Sequence, residues 1–335
     1  MKKKLIIWGG WWDKERALSL ATINSHASVS AYFLSKYLSE FYDIVRINNF
    51  YSAGRILDDT DACAVLSTFQ SGFTRMLEKG REDDYKKIRR AFAGKLCSIV
   101  DAAYRLNYNE DVLFTVRPRR ERARPVMRNL LGNDMLIRRF GWPADPEICF
   151  PEHVPEDEIN VFVDHSWYGG SMDCSHVYFE AFKHIMRRYP WLHFNFYRQN
   201  NDGIVKWDIG GLFKEPRYIR ASKVPYLDII KVYRRCHVFC VTHPESAGLA
   251  AIEAAMCGAK LYVPSFFTRS FISKDLLADG VRYTAVKITK GSVVRALCDD
   301  IEKGFDREGS RAGLMNTNTW RNAAVLIKNV LEKGF

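Results

Sequence analysis

Two carboxylates, Glu245 and Glu253, stand eight residues apart in the stretch His243-Pro244-Glu245-Ser246-Ala247-Gly248-Leu249-Ala250-Ala251-Ile252-Glu253-Ala254-Ala255-Met256-Cys257-Gly258. Carboxylates so spaced can accept hydrogen bonds from the hydroxyls of one polar ligand. The apolar run Val238-Phe239-Cys240-Val241 precedes them and reads as a buried parallel strand; a small-residue helix follows, beginning near Ser246 and stopped by Gly258. A strand, loop and helix in that order put free backbone N–H groups and the positive end of a helix dipole at the carboxyl edge of a sheet, where α/β folds bind anions. With a start near Ser246, Glu253 lies about two turns into the helix. One carboxylate then sits at the mouth of the loop while the other reaches along the same helix face.

The stretch resembles the E-x7-E signature of retaining glycosyltransferases of the GT-B fold, roughly P-S-x-x-E-x-F-G-L-x-x-x-E-A-M-A-x-G. Glu245, Gly248, Leu249, Glu253, Ala254, Met256 and Gly258 match it. The resemblance implies that Glu245 contacts the hydroxyls of a donor sugar, that Glu253 binds the nucleotide ribose, and that the amides of Ser246, Ala247, Gly248 and Leu249 hold the diphosphate. A helix start with one acidic residue near the dipole and another on a solvated face accounts for either glutamate alone. It leaves the run of Gly and Ala without a reason, since small residues are needed where backbone or ligand approaches closely.

Members of that family place an Arg and a Lys-Gly pair after the first strand of the second domain. Here that region reads Asp164-His165-Ser166-Trp167-Tyr168-Gly169-Gly170-Ser171. Arg198, directly after a strand ending in Tyr197, is the first replacement and Lys206 the second. The family's histidine near the donor sugar has one counterpart before residue 141, His26, just ahead of the first long helix. Gly9 and Gly10 end the first strand, where a ligand can approach the backbone. Arg117, at the end of another strand, completes the catalytic candidates with Glu245 and His26.

The chain has 335 residues and a net charge of +11, with 47% hydrophobic and 27% charged residues. Such a composition is that of a globular protein with room for two domains. The charge is concentrated: eight arginines between residues 117 and 139, against Glu121 and Asp134, leave a local net of +6. Arg117, Arg119, Arg120, Arg122 and Arg124 call for an acidic partner. The eight cysteines show no C-x-x-C pair and read as reduced core residues, Cys236 and Cys240 included, with no structural zinc. The Asp59-Thr60-Asp61 triplet reads as a loop and helix cap. No apolar run approaches the roughly 20 residues that span a bilayer. Met1-Lys2-Lys3-Lys4 leads straight into a strand, so a cytoplasmic protein is expected.

Strand and helix patterns alternate throughout: Leu5–Trp8, Ser28–Phe41, Asp43–Ile47 and Val112–Val116, then Asn160–Val163, Phe179–Arg188, His193–Tyr197, Tyr226–Arg235 and Lys260–Val263. The Pro-rich and acidic segment 141–155 reads as a linker. The expected architecture is GT-B: two Rossmann-like, doubly wound parallel-sheet domains facing a cleft, with boundaries 1–148 and 149–317. Residues 318–335 resemble the family's terminal Trp helix, which crosses back to the first domain.

The resemblance implies transfer of a sugar from a nucleoside diphosphate, a UDP-sugar first among donors, with retention and no required metal. Three acidic acceptors fit the arginines. A glycan or a lipid-linked acceptor, the latter with peripheral membrane contact, comes first. Duplex DNA bearing 5-hydroxymethylated pyrimidines comes second, with Trp8, Trp11 and Trp12 stacking on or replacing an extruded base. A non-catalytic protein that binds nucleotide-sugar or nucleic acid is the reading from another class. A nucleotide-sugar epimerase shares the two-domain fold but would not need the arginine-rich side. A glycosidase is disfavoured because both glutamates belong to one loop and helix instead of flanking a cleft.

Overall fold

The structure is a computed structural model that describes residues 2–9, 23, 26–69, 72–102, 109–117, 136–139, 143–164, 174–200, 203–207, 225–242, 248–265 and 283–333. The chain divides into two compact units, Met1–Gly141 with Trp320–Phe335, and Trp142–Thr319.

In the first unit, β1 (Lys4–Trp8) lies between β2 (Asp43–Ile47) and β3 (Val65–Ser67), and the sheet continues through β4 (Leu96–Ala102), β5 (Val112–Arg117) and β6 (Leu136–Arg139). Every pairing in it is parallel. Leu5, Ile6, Ile7 and Trp8 are all buried, as an interior strand covered on both faces requires. Helix α1 (His26–Leu38) connects β1 to β2, and a 3-10 segment (Phe50–Asp59) follows β2. Helices α2 (Gly72–Glu78) and α3 (Glu82–Ala91) link β3 to β4. The first turn of α3 holds Glu82, Asp83 and Asp84 and its last turn Arg89 and Arg90, so both ends complement the helix dipole.

Trp8 is a core residue. It packs against Phe50, Phe69 and Phe73 at centroid separations of 5.3 to 5.4 Å, and its Nε1 donates to Asn49 O. Its full burial removes it from the aromatic cluster expected to meet an extruded base. Asp59 and Asp61 are not a helix cap: both accept from Lys4 Nζ, at 3.0 and 3.1 Å, at the C-terminal end of the 3-10 segment.

The second unit has the order β12-β11-β10-β7-β8-β9. Its elements are β7 (Glu158–Val163), α4 (Ser175–Arg188), β8 (His193–Asn200), β9 (Gly203–Trp207), α5 (Tyr226–Arg235), β10 (Val238–Cys240), α6 (Leu249–Met256), β11 (Lys260–Pro264) and β12 (Tyr283–Val286). Two helices close it, α7 (Lys290–Lys303) and α8 (Arg307–Met315). Strand β9 is antiparallel to β8 and forms the sheet edge, with Asn200 opposite Gly203. Asn, Asp and Gly between two alternating runs are the hairpin signal for it. Strand β8 runs to Asn200, so Arg198 is inside it and not in the loop that follows.

The last helix, α9 (Trp320–Lys333), belongs to the first unit. Trp320, Ala323, Ala324, Ile327 and Val330 form its buried stripe. Trp320 stacks on Phe33 of α1 at 5.2 Å and 14°, and Arg321 pairs with Glu40 at 2.8 Å.

Candidate functional site

A doubly wound sheet opens a crevice where the strand order reverses. In the second unit this falls between β7 and β10, since β8 lies on one side of that pair and β11 on the other. The residues just past the two strands are tied together. Asp164 N donates to Cys240 O at 2.9 Å, and Thr242 Oγ1 donates to Asp164 O at 2.9 Å. Thr242 O in turn accepts from Cys174 N at 3.0 Å and Cys174 Sγ at 3.1 Å. This brace fixes the stems from which segments 165–173 and 243–247 depart. Motif reading passed over Asp164 and Thr242 as supports; their signal is position, each following one of the two strands at the reversal.

Helix α6 begins at Leu249, three residues later than the sequence suggests, because Gly248 caps it in a left-handed conformation, φ 64° and ψ 30°. An L side chain is disfavoured there, while the space a Cβ would fill is open, so glycine is required for its backbone. Glu253 consequently lies just over one turn into the helix and not two. At the other end Gly258, φ 88°, donates to Ala255 O, and a Cβ there would approach Arg307 O to 2.9 Å.

The alanines of α6 have a structural reason. Ala251, Ala254 and Ala255 are buried in a helix packed on α5, α8, β10 and β11, so their small size permits close helix and sheet approach. Small residues in this stretch therefore serve the core as well as any ligand.

Glu253 is 4% exposed, and among the described residues its Oε1 accepts no hydrogen bond. It is not on a solvated face. Burial pushes its carboxyl up from an ordinary 4.5 to about 8; the neighbouring Tyr226 hydroxyl acts in the opposite direction without cancelling the shift. An enclosed acid with a vacant acceptor suits a ligand that brings hydroxyl donors to it. Tyr226, the first residue of α5, carries no motif in the sequence and is identified only by this proximity.

His237 has another task. Its Nδ1 accepts from Asn160 N at 3.0 Å, and burial holds the imidazole down at about 4. All eight cysteines are free thiols, and no three His, Cys, Asp or Glu side chains converge among the described residues.

Glu245, Ser246, Ala247 and Gly10 lie outside the described residues, as do Trp11, Trp12, Arg119, Arg120, Arg122 and Arg124. For four further candidates the backbone is placed. His26 is the first residue of α1 instead of preceding it, and Arg117 ends β5 opposite Ala102. Arg198 is in register with Val163, the last residue of β7, and Lys206 with Tyr197. Arg198 thus stands at the carboxyl end of the strand that borders the crevice. Gly9 is accounted for by packing, because a Cβ there would fall 1.7 Å from Thr68 Oγ1.

No protein-family model matches the sequence, and no curated protein sequence matches it. Solved structures do. UDP-GlcNAc 2-epimerase from Neisseria meningitidis, solved with UDP-GlcNAc, superposes with a TM-score of 0.54 at 13% identity, over 99% of this chain and 100% of that one. A Listeria monocytogenes protein assigned as a UDP-N-acetylglucosamine 2-epimerase gives 0.55 at 13%, over 99% and 96%. AviGT4, a glycosyltransferase of avilamycin A biosynthesis, gives 0.52 at 10%, over 99% and 97%. At these identities the likeness is one of fold, and the fold of this chain is GT-B, two Rossmann-like α/β units built on parallel sheets.

Proposed function

We propose that the protein is a nucleotide-sugar enzyme whose donor site is the carboxyl edge of β7 and β10, and that it transfers the sugar to an acidic acceptor. The observation that carries this reading is Glu253, an enclosed carboxyl with a vacant acceptor, one turn behind a glycine-capped helix start at the strand reversal. In this reading Glu253 accepts from the ribose hydroxyls. The amides of residues 246 to 249 and the N-terminus of α6 take the diphosphate, and Arg198 adds a cation, with Lys206 the second choice. Glu245 contacts the donor sugar, as the resemblance to the E-x7-E signature implies, and retention at the anomeric carbon follows from the same resemblance. His26 and Arg117 belong to the acceptor side. The leaving diphosphate is neutralised by amides, helix dipole and arginine, with no divalent ion required. The division of labour proposed along the chain is an acceptor-side domain over 1–148, a donor domain over 149–317 and a terminal helix over 318–335.

The acceptor is a glycan or lipid-linked glycan, which the arginines from Arg117 to Arg139 suit through their charge. Epimerisation of the nucleotide-sugar is the second reading, favoured by the full-length likeness to the two epimerase structures. A single experiment separates them. The protein is incubated with a panel of UDP- and GDP-sugars, alone and with anionic glycans, with lipid-linked glycans in vesicles, and with duplex DNA containing 5-hydroxymethylated pyrimidines. Nucleoside diphosphate release that depends on acceptor establishes transfer and identifies the acceptor. Interconversion of the sugar without acceptor establishes the epimerase, and absence of both turnover and binding refutes the donor site.

A further inference from the structure

We propose that binding of a nucleotide-sugar at this site is coupled to loss of one proton from Glu253, so that affinity for the donor rises with pH. The inference rests on the donor-site reading above. It starts from what surrounds the carboxyl. From α5 the phenols of Tyr226 and Tyr233 face it, and from the segment before β7 the thiol of Cys149. Just past α6 stands the thiol of its capping residue Cys257, and Asp164, just past β7, shares Tyr233 as a neighbour with Glu253. From α8, Arg307 comes to the C-terminal end of α6, with its guanidinium donating to the carbonyls of Glu152, Arg234 and Cys257. From the sheet, β10 brings the ring of Phe239, which meets that of Tyr233 at 5.7 Å, while Cys240 and Lys260 lie on the other face, the thiol in the cluster with Tyr178 and the ammonium on Asp300.

The described surroundings are thus thiols, phenols, a second acid and the Arg307 guanidinium, whose terminal nitrogens are engaged by backbone carbonyls. Tyr226 offers a single hydroxyl donor, which offsets burial only in part, and none supplies the opposite charge or the paired donors that an ionised carboxylate needs when water is excluded. In the empty protein the carboxyl, 4% exposed and with Oε1 unbonded among the described residues, keeps its proton, in line with its upward shift. Ribose supplies what is missing: two vicinal hydroxyls, each donating to one carboxylate oxygen, stabilise the ionised form. On binding, the carboxyl O–H bond breaks, its electron pair stays on oxygen, and the proton passes to solvent. The linkage is reciprocal, so a ligand that expels a proton binds more tightly as protons become scarce.

Titration calorimetry with a UDP-sugar tests this, in phosphate and in imidazole buffer, whose ionisation enthalpies differ. A UDP-sugar is preferred to UDP because its diphosphate is esterified at both ends and has no proton to exchange near neutral pH. With a carboxyl titrating at about 8, close to 0.9 proton is expected to be released per site at pH 7. Affinity is expected to rise about tenfold per pH unit between pH 6 and 7.5. Glu253→Gln is expected to bind more weakly, with no proton release and a flat pH profile. Binding of the UDP-sugar by the unmodified protein without proton release overturns the coupling and leaves the donor site standing. Release that persists in Glu253→Gln also overturns it, since the proton then comes from another group. No binding of any UDP- or GDP-sugar refutes the donor site and the coupling together.

Discussion

Replacing Glu253 by glutamine is expected to make the empty protein more stable at neutral pH while weakening its ligand site. The carboxyl titrates at about 8 in the folded protein and at an ordinary 4.5 when exposed. Folding therefore takes up a proton. The stability linked to this group is complete below pH 4.5 and is lost as pH rises toward 8. At about 1.4 kcal/mol per unit of pKa difference, the smooth titration removes roughly 3 kcal/mol between pH 5 and 7.5. Glutamine has nearly the same shape and does not titrate, so the pH-dependent loss disappears. Its carboxamide brings two donors into the same enclosure, at a cost of about 1 to 3 kcal/mol that is constant with pH. The stability difference, variant minus wild type, is thus expected to climb by roughly 3 kcal/mol from pH 5 to 7.5 and to end in the variant's favour. Urea unfolding of both proteins at the two pH values measures it, followed on the transition of the second unit. Other titrating groups, His237 among them, cancel in the difference. A gap between the two proteins that stays constant over this range would refute the enclosed, proton-holding carboxyl, however the two compare at one pH.

His237 titrates the opposite way. Its imidazole is held at about 4 against an ordinary 6.5, so the stability it confers is full above pH 6.5 and is lost as pH falls to 4, about 3 kcal/mol in all. His237→Asn is expected to flatten the acid limb of the stability profile, read by denaturant midpoints from pH 7 to 4. The two glycines of α6 differ in kind: Gly248→Ala adds backbone strain alone and is expected to cost about 1 to 2 kcal/mol. Gly258→Ala adds a collision with the Arg307 backbone and is expected to cost distinctly more, as a comparison of melting temperatures checks. Trp320→Ala empties a stacked core position and is expected to destabilise the first unit by about 3 to 5 kcal/mol, visible in calorimetry as a lowered transition for that unit.

Strand and helix alternation was legible because each interior strand is an unbroken apolar run: Leu5 to Trp8 and Val238 to Val241 are buried on both faces and tolerate nothing else. Gly258 as the stop of the helix was legible too, and Gly248 and Glu253 stood out as residue types at fixed spacing. Their physical reasons were not. That Gly248 serves a left-handed cap is a matter of backbone conformation, and that Gly258 also gives way to Arg307 depends on a segment 49 residues further along the chain. That the alanines between them also serve packing was not legible, because a motif cannot show which neighbours a helix face meets; α5, α8 and the sheet supply those. The antiparallel edge β9 was missed although Asn200 to Gly203 carries turn residues, since a short edge strand has weak periodicity of its own and is defined by its partner.

Burial divides what the chain's residue order determined from what its folding decided. Local pattern and spacing are properties of neighbours in sequence, and from them came the two α/β units, the concentration of arginine between 117 and 139, and the spacing of Glu245 and Glu253. The dielectric around a side chain is a property of neighbours in space. Only the packing of α5 and Cys149 over α6 turned Glu253 from a surface acid into an enclosed one that holds its proton, just as only the rings of Phe50, Phe69 and Phe73 placed Trp8 in the core of the first unit.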